Sequence, residues 1–271
     1  VDGARIAAIA ERLLDAQAGP AMLDPISATD PEFDMAAAYE VLAHIAQRRR
    51  EQGWSAVGRK IGFTNQTIWP LYGVHEPMWA YVWDRTVVHA VDDVIVSLDA
   101  FVQPRIEPEV VFYLGAEVPA TDDPFAVVEA ALAIAPAFEV VQCPYPEWKF
   151  TLPDCTAAFG LHAALIVGPS MPIDADDRHA VVELLATFQA TLRRDGGEVD
   201  QGTGANVLGS PARALAHLAR VLAAQPQFEP LAAGELITTG TLTNAWPVAP
   251  GERWTADYGA LGLAALAVTF S

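Results

Sequence analysis

Gln103-Pro104-Arg105-Ile106-Glu107-Pro108-Glu109-Val110-Val111-Phe112-Tyr113 is the stretch on which the fold turns. Ile106, Val110, Val111, Phe112 and Tyr113 carry the β-branched and aromatic weight of a strand. Side chains alternate across a strand, so Glu107 and Glu109 share a face, with Cα atoms ~7 Å apart. Two carboxylates aimed at one region beside apolar neighbours repel each other and lose hydration. A cation between them offsets both costs. All-oxygen ligation suits a hard divalent ion such as Mg²⁺ or Mn²⁺. The spacing also fits an exposed face of an edge strand, with Pro108 marking the edge.

Further along, Pro136-Ala137-Phe138-Glu139-Val140-Val141 reads as a second apolar strand with a lone carboxylate. A charge there is expensive without a partner. Glu107, Glu109 and Glu139 together make a three-carboxylate cation site, while Glu139 alone also fits a salt bridge. Upstream, Lys60 sits in Gly58-Arg59-Lys60-Ile61-Gly62-Phe63-Thr64, a short strand or turn. Low-dielectric walls lower a lysine pKa and fit it for acid–base work; a surface lysine in a turn is the simpler alternative. His75 and Glu76 lie in an aromatic-rich loop, and a His-Glu pair can activate water, although chain neighbours seldom face each other. The sequence holds no Gly-x-Ser-x-Gly elbow. Gly202-Thr203-Gly204 completes no dinucleotide fingerprint, though its amides can cradle a carboxylate.

The chain has 271 residues, enough for one large domain or a domain with a helical extension, and is 52% hydrophobic. Its net charge of −18 argues against a nucleic-acid partner or an anionic membrane surface. Cys143 and Cys155 are too few for a disulfide framework and lack zinc-site pairing, which fits a reduced cytoplasmic setting. Val1-Asp2-Gly3-Ala4-Arg5 does not read as the start of a signal segment, and no apolar run is long enough for a membrane span.

Apolar spacing predicts helices over 3–18 and 35–52, the second capped by Asp34. Arg48, Arg49 and Arg50 at its end suit the helix dipole. Trp69, Tyr72, Trp79, Tyr81 and Trp83 read as core or interface more than ligand pocket. Short strands flank Asp92-Asp93. Asp123-Pro124 opens a helix over about 124–134. Residues 144–156 read as a proline-rich loop, and 163–168 as a buried strand. Residues 181–192 fit strand or helix, with a hairpin turn at Asp195-Gly196-Gly197. A helix over 211–224 and strands over 234–239, 253–258 and 264–270 complete an α+β chain: a helical part over 1–57, then a strand-dominated part over 58–271.

In combination, Gly58–Thr64, Leu71-Tyr72-Gly73-Val74, Gln103–Glu109, Pro136–Val141 and Thr239-Gly240-Thr241-Leu242-Thr243-Asn244-Ala245-Trp246-Pro247-Val248 resemble the 2-keto-4-pentenoate hydratase and 4-oxalocrotonate decarboxylase group of the fumarylacetoacetate hydrolase superfamily. The resemblance covers about residues 30 to 270. It implies a fumarylacetoacetate-hydrolase-like mixed β-roll, a homo-oligomer, and Mg²⁺ or Mn²⁺ held by Glu107, Glu109 and Glu139. It also implies a small-molecule 2-oxo acid chelating that metal, with Lys60 near it as proton carrier or carboxylate clamp and Thr241 beside it. The implied activity is hydration of a 2-hydroxydienoate or 2-oxo-enoate from aromatic-compound breakdown. Its alternatives are C–C hydrolysis of an acylpyruvate, decarboxylation of a 2-oxo acid, or a non-catalytic binding protein retaining the fold. Two stretches depart from the family pattern. Met78 and Ala80 stand where an acidic or amide residue and a glycine are usual, and Ala157-Ala158-Phe159 replaces Ala-Asp-Asn. A less polar pocket follows, with Met78, Trp79, Trp83 and Phe159 as walls.

Overall fold

The computed structural model describes residues 3–91 and 93–271, so Asp92 of the Asp92-Asp93 turn lies outside the described residues. Helix α1 (Gly3–Ala18) is followed by the single turn α2 (Ile26–Thr29) and by α3 (Met35–Glu51). Asp34 caps α3 by accepting a hydrogen bond from Ala37 N at 2.9 Å. Strand β1 (Ala56–Gly62) leads through α4 (Trp69–Tyr72) to β2 (Met78–Trp83), and β3 (Val87–His89) and β4 (Val94–Val96) follow. Next come β5 (Arg105–Leu114), α5 (Pro124–Ala130), β6 (Ala131–Val141), α6 (Leu152–Ala157), β7 (His162–Val167) and β8 (Met171–Pro172). The last third holds α7 (Arg178–Thr187), β9 (Gln189–Arg194), β10 (Gly197–Thr203), α8 (Pro211–Ala223), β11 (Leu236–Thr238), β12 (Trp246–Pro247), β13 (Arg253–Asp257) and β14 (Leu266–Phe270).

The larger sheet has the order β2-β1-β11-β5-β6-β7-β3, with β12 on β5 and β8 on β6; the smaller runs β10-β9-β13-β14-β4. β1 runs parallel to β11, β3 to β7 and β4 to β14, and the other pairs are antiparallel. Ile6, Leu42, Phe112, Phe138, Leu215 and Trp254 belong to one continuous apolar core spanning the helices and both sheets.

β5 is central, which corrects the edge-strand alternative. Pro108 marks an interruption in the ladder. On that side β5 pairs with β12 at Arg105–Ile106 and with β11 at Val111–Tyr113. Between them the backbone carbonyl of Pro108 accepts from Leu242 N at 2.9 Å. Backbone N and O of one residue point to the same side of a strand, so the missing proline N–H falls where no strand asks for it.

Three local expectations are corrected. α5 stops at Ala130, because Ala131–Pro136 is drawn into β6 by pairing with β5. Residues 152–157 of the expected loop form α6, closed by a capping box between Thr151 and Asp154. Residues 181–192 are helix and strand in succession, α7 then β9.

Candidate active site and metal centre

The register of β5 on β6 places Glu107 directly opposite Glu139, and Glu109 two residues further on the same face of β5. One carboxylate oxygen from each of the three lies within 4.8 Å of the others. Glu109 and Glu139 are fully buried. Glu109 Oε2 accepts from Gly240 N at 2.7 Å and from the Thr238 hydroxyl, while Oε1 has no hydrogen-bond partner. Gly240 is required here. Its φ is +101°, and a Cβ would stand 1.9 Å from Thr64 Oγ1.

Lys60 and His162 complete the floor. Lys60 Nζ lies 3.0 Å from Glu139 Oε2 and donates to Gly160 O at 2.9 Å. His162 Nδ1 is 2.7 Å from Glu139 Oε1, and its Nε2 is 2.8 Å from Thr86 Oγ1. Gly160 sits in a turn where Phe159, Gly160 and Leu161 all have positive φ, between 58° and 62°. A Cβ on Gly160 would stand 2.8 Å from Met78 Cε and 3.2 Å from Lys60 Cδ. The turn stores backbone strain in order to present one carbonyl to the lysine.

Burial pushes the Glu107 carboxyl up to about 7, with Glu139 adding repulsion against the pull of Lys60. Burial, then Glu139 and Glu107, push Glu109 well above the carboxylate range. Glu139 also loses hydration, but Lys60 and His162 outweigh that loss and bring it down to about 2. Lys60 reverses the expected direction. Burial alone would lower its pKa, yet Glu139, Glu107 and Glu109 hold it above the ordinary lysine value. Nor is it a surface lysine, being 3% exposed.

A divalent cation fits these residues. Glu109 Oε1 is a buried oxygen with no hydrogen-bond partner, and burial, with repulsion from the neighbouring carboxylates, pushes both Glu107 and Glu109 toward protonation, a cost that a bound cation offsets. The donor set is all oxygen, as a hard ion prefers.

Above the floor opens a cleft with about 700 Å³ of empty space. Lys60, Met78, Glu107 and Thr241 line it, together with Arg105, Tyr72, Trp148, Phe150, Asn65, Asn244 and Cys155. Met78 supplies the apolar wall expected of it, and Thr241 Oγ1 donates to Thr243 O at 3.0 Å. Trp79 does not reach the cleft. Neighbours on a strand point to opposite faces, so Trp79 packs with Tyr39, Tyr81 and Phe228 instead. Trp83 is also core, tilted against Tyr81. Phe159 turns instead into a separate small pocket with Leu13, Gln142 and His162. His75 and Glu76 are exposed and outside the cleft lining. His162, Arg105 and Gly160 escaped the sequence reading. For His162 the signal was a histidine opening an apolar strand; Arg105 shares the alternation of Glu107.

Residues 64–269 match the fumarylacetoacetate (FAA) hydrolase C-terminal family, and the chain belongs to that family. It is 33% identical over 247 residues to a 4-oxalocrotonate decarboxylase from Pseudomonas sp., covering 91% of each chain. It is 30% identical over 252 residues to a 2-hydroxyhexa-2,4-dienoate hydratase from Comamonas testosteroni, covering 90% of each. A solved 4-oxalocrotonate decarboxylase from Pseudomonas putida G7, complexed with magnesium and adipate, superposes with a TM-score of 0.90 at 28% identity, covering 100% of this chain and 99% of that one. The fold and family expected from the quoted segments are thereby borne out. Among the described residues no helix is long and apolar enough to cross a membrane.

Proposed function

We propose that the chain is a divalent-metal-dependent lyase that hydrates a 2-hydroxydienoate or 2-oxo-enoate from aromatic-compound breakdown. The observation that carries this is the trio of Glu107 with the fully buried Glu109 and Glu139, in which Glu109 Oε1 meets neither a hydrogen-bond donor nor a cation among the described residues, at the foot of a cleft in a chain related to such hydratases. Glu107, Glu109 and Glu139 would hold the ion, magnesium being the one named in the related decarboxylase structure. When bound, it supplies Lewis acidity to a chelating 2-oxo carboxylate, drawing electrons from the conjugated chain.

The chain's own residues do the rest. Glu139 keeps Lys60 ionised, so Nζ carries a proton at the edge of the cleft. Gly160 O fixes that ammonium in direction. His162 and Thr86 hold the Glu139 carboxylate from behind, as outer groups orient a metal ligand. In hydration the dienol proton moves to carbon to give the 2-oxo-3-enoate. Water then adds as hydroxyl at C4 and hydrogen at C3, and Lys60 Nζ is the group placed to relay a proton. Phe63, Ile68 and Phe150 keep the mouth apolar, with Met78 on the wall below them, and limit stray water.

Decarboxylation is the second reading, supported by the 33% identical relative and by Met78, which leaves that wall without an acid or base. A cytoplasmic homo-oligomer is the setting proposed with either reaction; the two unpaired, buried cysteines fit the cytoplasm. Incubation with Mg²⁺ and a panel of 2-hydroxydienoates, 2-oxo-enedioates and acylpyruvates, read by product mass, is the test. Gain of water is expected. Loss of CO₂ selects the second reading, cleavage into two acids selects C–C hydrolysis, and no turnover with metal bound overturns the enzymatic reading.

A further inference from the structure

The Phe159-Gly160-Leu161 turn presents Gly160 O to Lys60 and leads into β7, whose first residue, His162, meets Glu139. Two of its three left-handed residues are not glycine, so the turn needs outside support to keep that shape. On the floor side Gly160 lies against Met78, Ala80 and Lys60. The other side is met by the N-terminal helices. Arg49 of α3 lays its guanidinium over the Phe159 ring, Cζ standing 5.8 Å from the centroid. Its Nη2 donates to Gln17 Oε1 of α1 at 2.5 Å, and Gln17 Nε2 donates to His162 O at 3.4 Å. The pair therefore touches the turn at both ends. Trp54 backs Arg49, its ring centroid 3.9 Å from Cζ, and Arg85 lies over the same ring at 4.9 Å. Arg49 is costly to keep there. Its neighbours Arg48 and Arg50 pair with Glu51 and Glu229, whereas Arg49 pairs with no carboxylate among the described residues. It is 9% exposed and its Nε has no hydrogen-bond partner. Burial and the like charge of Arg85 hold its pKa below the ordinary arginine value. A well-packed apolar side chain of similar volume would fill the same space at less cost.

We propose that Arg49 and Gln17 are positioning residues that brace the Phe159–Leu161 turn from the side away from the cleft, keeping Gly160 O aimed at Lys60 and His162 at Glu139. This rests on the reading of Lys60 as proton relay above. A planar guanidinium held between Trp54 and Phe159 has one orientation open to it, which a flexible apolar side chain would not. The helix dipole accounts for Arg48 and Arg50 at the end of α3. Arg49 turns inward instead, and its charge is retained for the direction it imposes rather than for the stability it adds. Helices α1 and α3 then act on the site without lining the cleft.

The test combines amide hydrogen exchange, read by mass on peptides of the full chain in Mg²⁺, with turnover and Tm. Arg49→Met should speed exchange in the peptide spanning residues 158–162 roughly tenfold and leave the β5 and β6 peptides as they were. Its kcat should fall roughly 10- to 100-fold with KM held within about a factor of two, as misplacement of a catalytic group does. Its Tm should hold or rise, because a buried unpaired charge has gone. Arg49→Lys keeps a cation over the ring but not the planar fork, and should fall between native and Arg49→Met in both exchange and kcat. Gln17→Leu should speed the local exchange roughly threefold. Unchanged exchange over 158–162 in Arg49→Met overturns the proposal. So does faster exchange in every peptide with a lower Tm, which marks a structural role, and so does faster local exchange with kcat unaltered. If Arg49→Met does not fold, unchanged local exchange in both Arg49→Lys and Gln17→Leu overturns it. The lyase reading fails separately: a native chain without turnover overturns that reading, while the exchange comparison still decides the brace.

Discussion

At the floor of the cleft, β1, β5, β6 and β7 bring Lys60, Glu107, Glu109, Glu139 and His162 together through sheet register. At its mouth, Phe63 comes from the β1–α4 connection, Tyr72 from the end of α4, and Trp148 and Phe150 from the loop ahead of α6. The floor is charged, mostly buried and fixed by ladders of backbone hydrogen bonds. The mouth is apolar, partly exposed and held by ring contacts. In the function proposed above the floor carries the chemistry and the mouth chooses the substrate, because loops change length and composition at little cost to the sheet.

The largest expected effect is at the floor. Glu107→Gln removes a carboxylate while leaving the Lys60–Glu139 pair in place, so the chain should fold yet lose Mg²⁺ binding and about 10³-fold in kcat/KM. Calorimetric titration of Mg²⁺ alongside turnover checks this, and retained metal affinity would move the ion elsewhere. Lys60→Met should cost roughly 10²–10⁴-fold in kcat with Mg²⁺ still bound, as loss of a positioned proton donor does. A change confined to KM would make Lys60 a substrate clamp instead.

A third prediction concerns pH. The folded-state Glu107 pKa of about 7 lies above its ordinary value of 4.5, so the metal-free fold binds the extra proton between those limits. That stabilisation is complete below about 4.5 and is lost as pH rises through about 7. Glu109, also raised, acts in the same direction, whereas Glu139, at about 2, loses its stabilisation only as pH falls below about 4.5. With EDTA present, Tm should fall by roughly 5 °C between about pH 5 and 7.5, and Mg²⁺ should restore it at the upper end. A flat profile would mean that the trio is less strained than its burial implies. The smallest effect is expected outside both regions. His75→Ala and Glu76→Ala alter exposed side chains away from the cleft, and kcat/KM should stay within about a factor of two.

Much of the floor could be read locally. Alternation alone put Glu107 and Glu109 on one face, and the apolar setting of Glu139 marked it as a charge in need of a partner. The same alternation separates Met78 from Trp79, and applied to both it would have kept Trp79 out of the pocket walls. Phe159 was beyond local reading, because its direction depends on three successive left-handed residues, two of them not glycine. α6 was hidden by its prolines, which open helices as readily as they break them.

By itself the sequence determined the strand character of the stretch 103–113, the shared face of its two glutamates and the presence of a third carboxylate in an apolar strand. Those follow from side-chain period and burial cost, which are properties of a few consecutive residues. Only the tertiary structure decided that Glu139 faces Glu107 across β5 and β6, that Lys60 and His162 grip it from two further strands, and that Pro108 lies over a gap in the ladder. These depend on pairing between residues as far apart as Lys60 and Gly160. Register and crossover connections fix such meetings, and no short window of sequence contains them.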